Sequence, residues 1–182
     1  DDLRLSVKTV LNLADVFSAD SVGGVMKGAT LTRADLCEAV HEEVGLTRQD
    51  CAGLVERTLD LVAKAGLNVV SLPMCNMYLQ DRTPGRTPRW RGVTLVHEMA
   101  ARGINVSFAS DNTRDPFYAY GDLDMIEVMR EATRIAHLDH TGTDWPRAFT
   151  ANPARACGFD APSLDPGAPA DLVICRARSW TE

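Results

Sequence analysis

Leu67-Asn68-Val69-Val70-Ser71-Leu72 and Ile104-Asn105-Val106-Ser107-Phe108-Ala109 are two short runs of apolar, β-branched and aromatic residues, and Val93 to Arg102 between them has helical spacing. Short runs of Val, Ile and Phe suit strands whose faces are covered by helices. Strands that run parallel need a crossover connection, and a helix supplies it. The stretch therefore reads as a βαβ unit with the two strands parallel and adjacent, joined by a right-handed crossover. A further helix is expected over Leu123 to Leu138. The fold class is α/β.

Upstream of this unit the pattern is helical. Thr32 is placed to cap a helix with Leu36, Ala39, Val40 and Val44 on one face, ended by Gly45. Thr47 is placed to cap a second helix carrying Cys51, Leu54, Val55, Leu59, Leu61 and Val62, which stops near Gly66. The pair is expected to form a hairpin packed through Leu36, Val40, Leu54 and Leu59. Before it, Leu3, Val7, Val10, Leu11, Ala14 and Phe17 outline one amphipathic helix, and Ser21 to Thr30 is a Gly-rich connector. The expected organisation is residues 1–25 as helix and linker, 26–64 as helical hairpin, and 65–182 as the α/β part.

The 182 residues are 45% hydrophobic and 24% charged, a globular composition with material for one sizeable core. A net charge of −6 argues against a nucleic-acid surface, because phosphate binding draws on clustered Lys and Arg. Five scattered cysteines (Cys37, Cys51, Cys75, Cys157 and Cys175) form no C-x-x-C pair, which points away from a disulfide framework or a thiolate zinc site. No apolar run approaches the ~20 residues that span a bilayer. The opening Asp1-Asp2-Leu3-Arg4 also lacks the layout of a signal peptide, so a cytoplasmic protein without membrane partners is expected.

Asp111 follows the second strand directly, in Phe108-Ala109-Ser110-Asp111-Asn112. In α/β barrels such strand ends feed the face where catalytic groups sit, although an Asp there also serves as a loop cap by accepting backbone N–H groups. Both roles are open on position alone.

Four motifs narrow the choice. Gly66-Leu67-Asn68-Val69-Val70, Pro73-Met74-Cys75-Asn76-Met77-Tyr78-Leu79-Gln80, Arg91-Gly92-Val93 and Gly103-Ile104-Asn105-Val106 resemble, in order and spacing, consecutive motifs of bacterial cytosine deaminases. Asn152-Pro153-Ala154-Arg155-Ala156 followed by Gly167-Ala168-Pro169-Ala170-Asp171-Leu172-Val173-Ile174 is similar to the exit of metal-dependent amidohydrolases from the barrel into their β-sandwich. In that resemblance Pro153 starts a helix and Asp171 precedes an edge strand. It implies the last two βα units of a (β/α)8 barrel, a partial barrel preceded by the hairpin.

Ser110 to Tyr118 is similar to the family's loop after barrel strand eight. The resemblance makes Asp111 the catalytic, metal-ligating aspartate, puts Asn112 and Phe117 against the substrate, and implies a divalent metal, Zn or Fe. The implied reaction is hydrolytic deamination of cytosine or a related cyclic amidine or amide, with a pyrimidine-like base as the small-molecule partner. The family's remaining histidine ligands and its glutamate have no counterpart in residues 1–64. His41 and His97 lie in helical patterns, and His137 and His140 sit three apart at a helix end, where a helix dipole favours cations. No metal role is assigned to them, and the isolated chain is expected to have little or no deaminase activity.

Leu31-Thr32-Arg33-Ala34-Asp35-Leu36, Val44-Gly45-Leu46-Thr47-Arg48-Gln49-Asp50 and Leu54-Val55-Glu56 resemble the first two helices of the HU and integration host factor alpha family, over about Met26 to Ala63. That likeness implies association, with a homo-oligomer as the expected state. The family's DNA-holding β-arms have no counterpart, so DNA is not an expected partner. Three functions therefore stand: an amidohydrolase fragment or fusion, an HU-like dimerising or DNA-binding module, and an inactive chimera.

Overall fold

The computed structural model describes residues 37–38, 41–42, 44–89 and 91–178. They divide into two compact units. One comprises the described residues up to Arg57 with Asp81–Gly92, and the other Thr58–Gln80 with residues 93–178. Leu36, Val40 and the helix expected in residues 3–17 lie outside the described residues.

In the first unit Cys37, Glu38, His41, Glu42 and Val44 are helical and Gly45 is not, in keeping with a helix ending at that glycine. Glu38 forms an ion pair with Arg48, and that guanidinium holds its carboxyl below the usual carboxylate range. Helix α1, Arg48–Lys64, begins where expected. The Thr47 hydroxyl oxygen accepts the Asp50 N–H at 3.2 Å and donates to the Asp50 carboxylate at 2.6 Å, which satisfies a donor the first turn leaves orphaned. At the other end Gly66 takes φ of 63°, and the N–H groups of Gly66 and Leu67 reach back to Ala63 and Val62. Glycine adopts that left-handed cap without a Cβ penalty.

The buried stripe of α1 differs from the expected one. Cys51 and Leu59 are buried, whereas Leu54 is 42% and Leu61 57% exposed. Leu54 therefore does not pack as the hairpin reading required. Positions 51, 55, 59 and 62 recur every three to four residues and hold one face, and Leu54 and Leu61, seven apart, fall on another.

In the second unit strand β1, Asn68–Ser71, pairs in parallel with β2, Asn105–Phe108, with Asn68 opposite Asn105 and Ser71 opposite Phe108. The α/β reading and the parallel neighbours hold, with each strand shorter at both ends than expected. The connection differs: Pro73–Leu79 forms helix α2, which the pattern alone did not indicate, and helix α3 covers only Val96–Ala101. Pro73 suits a first helical position because its missing N–H would have no partner there. Residues 93–95 stay out of α3, where the Thr94 hydroxyl receives a hydrogen bond from Ser71 at 3.1 Å and the Thr94 carbonyl accepts from Val96.

Helix α4, Met125–Ala136, is capped by the Asp124 carboxylate accepting the Ile126 N–H at 2.8 Å. It is shorter than expected at both ends. His137 takes a left-handed conformation that ends α4, and Leu138–His140 forms a separate 3-10 turn. A second 3-10 turn, Trp145–Phe149, leads into helix α5, Ala151–Cys157. Pro153 therefore stands in the first turn of α5 rather than starting it, a position proline also tolerates.

The core lies against one face of the sheet. Met74, Val96, Ile104, Val106, Phe108, Val128, Ala132, Leu138, Trp145, Ala148 and Phe149 form one buried cluster. Phe108 stacks on Phe149 at 5.0 Å between centroids and meets Trp145 edge-on at 6.1 Å. His97 packs edge-on against Trp145 at 5.1 Å, and its Nε2 lies 2.7 Å from the Ala136 carbonyl, the distance of a hydrogen bond donated to it. That gives this histidine a structural task, closing the C-terminal end of α4. Asn152 does likewise for β2: its amide donates to the Val106 carbonyl at 2.8 Å, while its own carbonyl accepts from Asn105 at 3.0 Å. The first residue of the Asn-Pro-Ala-Arg motif thus binds the backbone of the strand that precedes the site.

The edge strand expected after Asp171 is not formed. Leu172, Val173 and Ile174 are irregular, and Ile174 is 90% exposed. A strand exists through pairing of its N–H and C=O groups, and no strand lies beside these residues among those described. No helix among the described residues is long and apolar enough to cross a membrane.

Candidate active site at the end of the second strand

The parallel ladder continues one step past β2, where the Ala109 N–H donates to the Ser71 carbonyl at 3.2 Å. This aligns the exit from β2 with the first turn of α2. The chain then turns sharply at Asp111, which takes φ of 63°. Aspartate is among the few non-glycine residues that visit this region readily. Asp111 is exposed, whereas Cys75 in the first turn of α2 is 0% exposed. Burial pushes the Cys75 thiol up to about 11, and the neighbouring carboxylate of Asp111 adds to it.

Beyond Asp111 the loop is organised by Asp115, which the sequence reading did not single out. Its carboxylate accepts the N–H groups of Phe117 and Tyr118, each at 2.9 Å, and the side-chain amide of Asn112. Its own N–H donates to the Tyr118 carbonyl at 3.1 Å. The available signal was Asp115-Pro116, since an Asp whose side chain bonds the backbone two residues on is a common turn former. The loop closes where the Arg114 guanidinium donates to the Gly121 carbonyl at 3.1 Å. Gly121 has φ of 74°, and an added Cβ would lie 3.0 Å from the Thr113 methyl, so a side chain there would be both strained and crowded.

The three candidate residues consequently stand in different circumstances. Asp111 and Asn112 are neighbours at the strand end. Asn112 donates an amide hydrogen to Asp115, and Phe117 is 63% exposed, six residues from Asp111. Unanticipated was a trio of tyrosines: Tyr78 of α2 meets Tyr118 at 5.2 Å and Tyr120 at 5.6 Å, and Tyr118 meets Tyr120 at 5.8 Å, all edge-on. Edge-to-face rings at these distances are mutually attractive and pin the loop to α2. Burial, and then the charge of Glu127, raises the Tyr118 hydroxyl above its ordinary value.

A divalent cation of the zinc or iron kind takes at least three protein ligands. Among the described residues no three His, Cys, Asp or Glu side chains gather closely enough to hold one. His137 and His140, with rings 6.2 Å apart, make only a pair. The described residues alone therefore do not constitute the implied metal centre.

The Asn112 amide, with the Tyr118 and Phe117 N–H groups, lowers the Asp115 carboxyl below its ordinary value. A carboxyl depressed in the folded state contributes stability that is present above its unfolded pKa, near 4, and lost as pH falls through the folded value. Acidification below about pH 4 is therefore expected to release the loop before the core. NMR of the Phe117 and Tyr118 amides should show protection lost in that window, and Asp115→Ala should show the same loss at neutral pH. Protection that persists in Asp115→Ala would count against the assignment.

The amidohydrolase family model matches residues 16–179. The pterin deaminase of Rhizobium rhizogenes is 61% identical over 138 residues, 75% of this chain and 31% of that protein. The crystal structure of 5-methylcytosine deaminase from Klebsiella pneumoniae liganded with 5-fluorocytosine superposes with a TM-score of 0.53 at 31% identity, over 75% of this chain and 36% of that one. The chain thus spans about a third of the length of the deaminases it matches. Separately, the integration host factor alpha subunit of Caulobacter vibrioides is 98% identical over 40 residues, 22% of this chain and 40% of the subunit. With a family model that covers most of its length, the chain belongs to the amidohydrolase family.

Proposed function

We propose that residues 65–182 are the C-terminal part of an amidohydrolase that hydrolytically removes an exocyclic amino group from a nitrogen heterocycle, and that they contribute one corner of its site. The observation that carries this reading is the strand-end carboxylate: Asp111 follows one of two adjacent parallel strands and stands exposed at a left-handed turn. On this reading β1 and β2 are the last two strands of a (β/α)8 barrel. A divalent metal held with residues from elsewhere would supply an activated water; Asp111 would be one of its ligands and would accept a proton, and Asn112 and Phe117 would border the substrate. Cytosine and the pterin ring share an amino-substituted pyrimidine, so that ring is the common substrate element.

The test is complementation. The chain is combined with the preceding part of the pterin deaminase to which it is 61% identical, and metal content and ammonia release from cytosine and pterin are measured. Metal-dependent release by the assembly supports the reading, and an assembled but inactive complex rejects it.

A second reading applies to residues 26–64, and the 98% identity over 40 residues to an integration host factor subunit favours it. We infer that this segment is an association element, whose expected product is a homo-oligomer. Leu54 and Leu61 supply its exposed apolar face. Light scattering should report an oligomer, and Leu54→Glu with Leu61→Glu should convert it to monomer without loss of helix content. A monomeric parent chain counts against the inference.

A further inference from the structure

Three non-glycine residues in the loop after β2 hold left-handed backbone: Asp111 at φ of 63°, Arg114 at 50° and Leu123 at 65°. A leucine gains nothing from that conformation, and Leu123 is 72% exposed, so burial of its side chain does not offset the strain. Strained backbone of this kind gathers at functional sites, where surrounding bonds hold it in place. Such bonds are present here: the Arg114 N–H donates to the Tyr120 carbonyl at 3.1 Å, beside the bond from Asp115 to the Tyr118 carbonyl. They bring residue 120 back against residue 114, which lies three residues, at most about 11 Å of extended chain, from Asp111.

Tyr120 is the exposed member of the tyrosine trio, edge-on to the half-buried rings of Tyr78 and Tyr118. At 61% exposure it is too open for both faces of its ring to be covered, and Phe117 and Leu123 beside it in the loop are exposed as well. A ring held by two neighbours in a closed loop has already lost the rotamer freedom that binding would cost. Even fully covered, these three side chains offer roughly 500 Å², short of the about 800 Å² that each partner gives to a stable protein interface, so the surface suits a small planar ligand. We propose that Tyr120 is a specificity-determining residue, whose free face stacks on the second ring of a fused-ring heteroaromatic substrate while the amino-substituted ring lies at Asp111. On this arrangement a single pyrimidine ring at Asp111 leaves Tyr120 untouched. The proposal rests on the reading of Asp111 as the reacting carboxylate.

The test compares pterin, whose pyrimidine is fused to a second ring, with cytosine, which has one ring, in the complemented assembly. Tyr120→Leu keeps apolar bulk and removes the aromatic face. It should lower the ratio of kcat/KM for pterin to that for cytosine about tenfold, through a raised KM for pterin, as loss of one stack between a base and an aromatic side chain does. Tyr120→Phe keeps the face and should preserve the ratio. A loop merely loosened by the substitution lowers both substrates together, so an unchanged ratio in Tyr120→Leu overturns the proposal.

A second measurement needs no turnover and no substitution. With 13C-labelled tyrosine at position 120 of the assembly, saturating pterin should move the ring signals by the ring current of a stacked heterocycle, and cytosine should leave them in place. Absence of the pterin shift overturns the proposal whatever the activity, and this comparison still decides if Tyr120→Leu does not fold. A pterin-specific shift in an assembly that releases no ammonia supports the stack and rejects only the deaminase reading. An active assembly with neither a shift nor an altered ratio does the reverse.

Discussion

Asp111→Ala should abolish ammonia release by the complemented assembly, with a fall of at least about 10² to 10⁴ in rate, the contribution typical of a single positioned acid or base. Loss of a metal ligand acts in addition, because water approaches a neutral pKa only on a cation held in fixed geometry. The isolated chain should already stand at background. One carboxylate binds a divalent ion weakly, and the described residues gather no third ligand about it. The assay therefore has three arms: the chain alone, the assembly, and the assembly carrying Asp111→Ala. Activity that survives Asp111→Ala would reject the role given to this residue. Activity of the chain alone would show that it draws on ligands beyond the described residues or on a second copy.

The largest effect on stability is expected at Phe108. It is 2% exposed, stacks on Phe149 and meets Trp145, so it joins β2 to the turn that precedes α5. Truncating a buried phenylalanine to alanine typically costs about 3–5 kcal/mol, from lost transfer energy and the cavity left behind. Against a usual domain stability of about 5–15 kcal/mol, this leaves much of the unit unfolded or close to it. Urea denaturation followed by the tryptophan signal should show the loss. Phe117→Ala should stay within about 0.5 kcal/mol, as expected for an exposed side chain. Equal effects at the two positions would contradict the core described for this unit.

Both predictions follow from where the chain places similar residues, and composition does not separate them. Phe108 and Phe117 are nine positions apart, and the distinction between them lies in the strand that buries one and the loop that presents the other. The strand was readable because Val, Ile and Phe in a short run suit a covered sheet. The loop's internal order was not, because Asp115 acts through backbone groups that come within reach only once the turn at Asp111 has formed.

The helix ends divide along the same line. Thr47 and Gly66 were legible because a cap acts on groups within a few residues of itself, and propensity at that range survives folding. Helix α2 was not legible. Its seven residues have no amphipathic period long enough to register, and its buried Pro73, Met74 and Cys75 are held by tertiary packing. Leu172 to Ile174 shows the opposite failure: a strand-like local pattern with no partner among the described residues.

For this protein, then, sequence by itself determined the α/β class, the parallel pair, the caps of α1 and the strand-end position of Asp111, since all of these depend on local period, cap chemistry and the motifs that mark the family. Only the tertiary structure decided which face of α1 is buried and that Asp115 and three tyrosines order the loop. Those features join residues up to 42 positions apart, such as Tyr78 and Tyr120, and only folding brings such residues together.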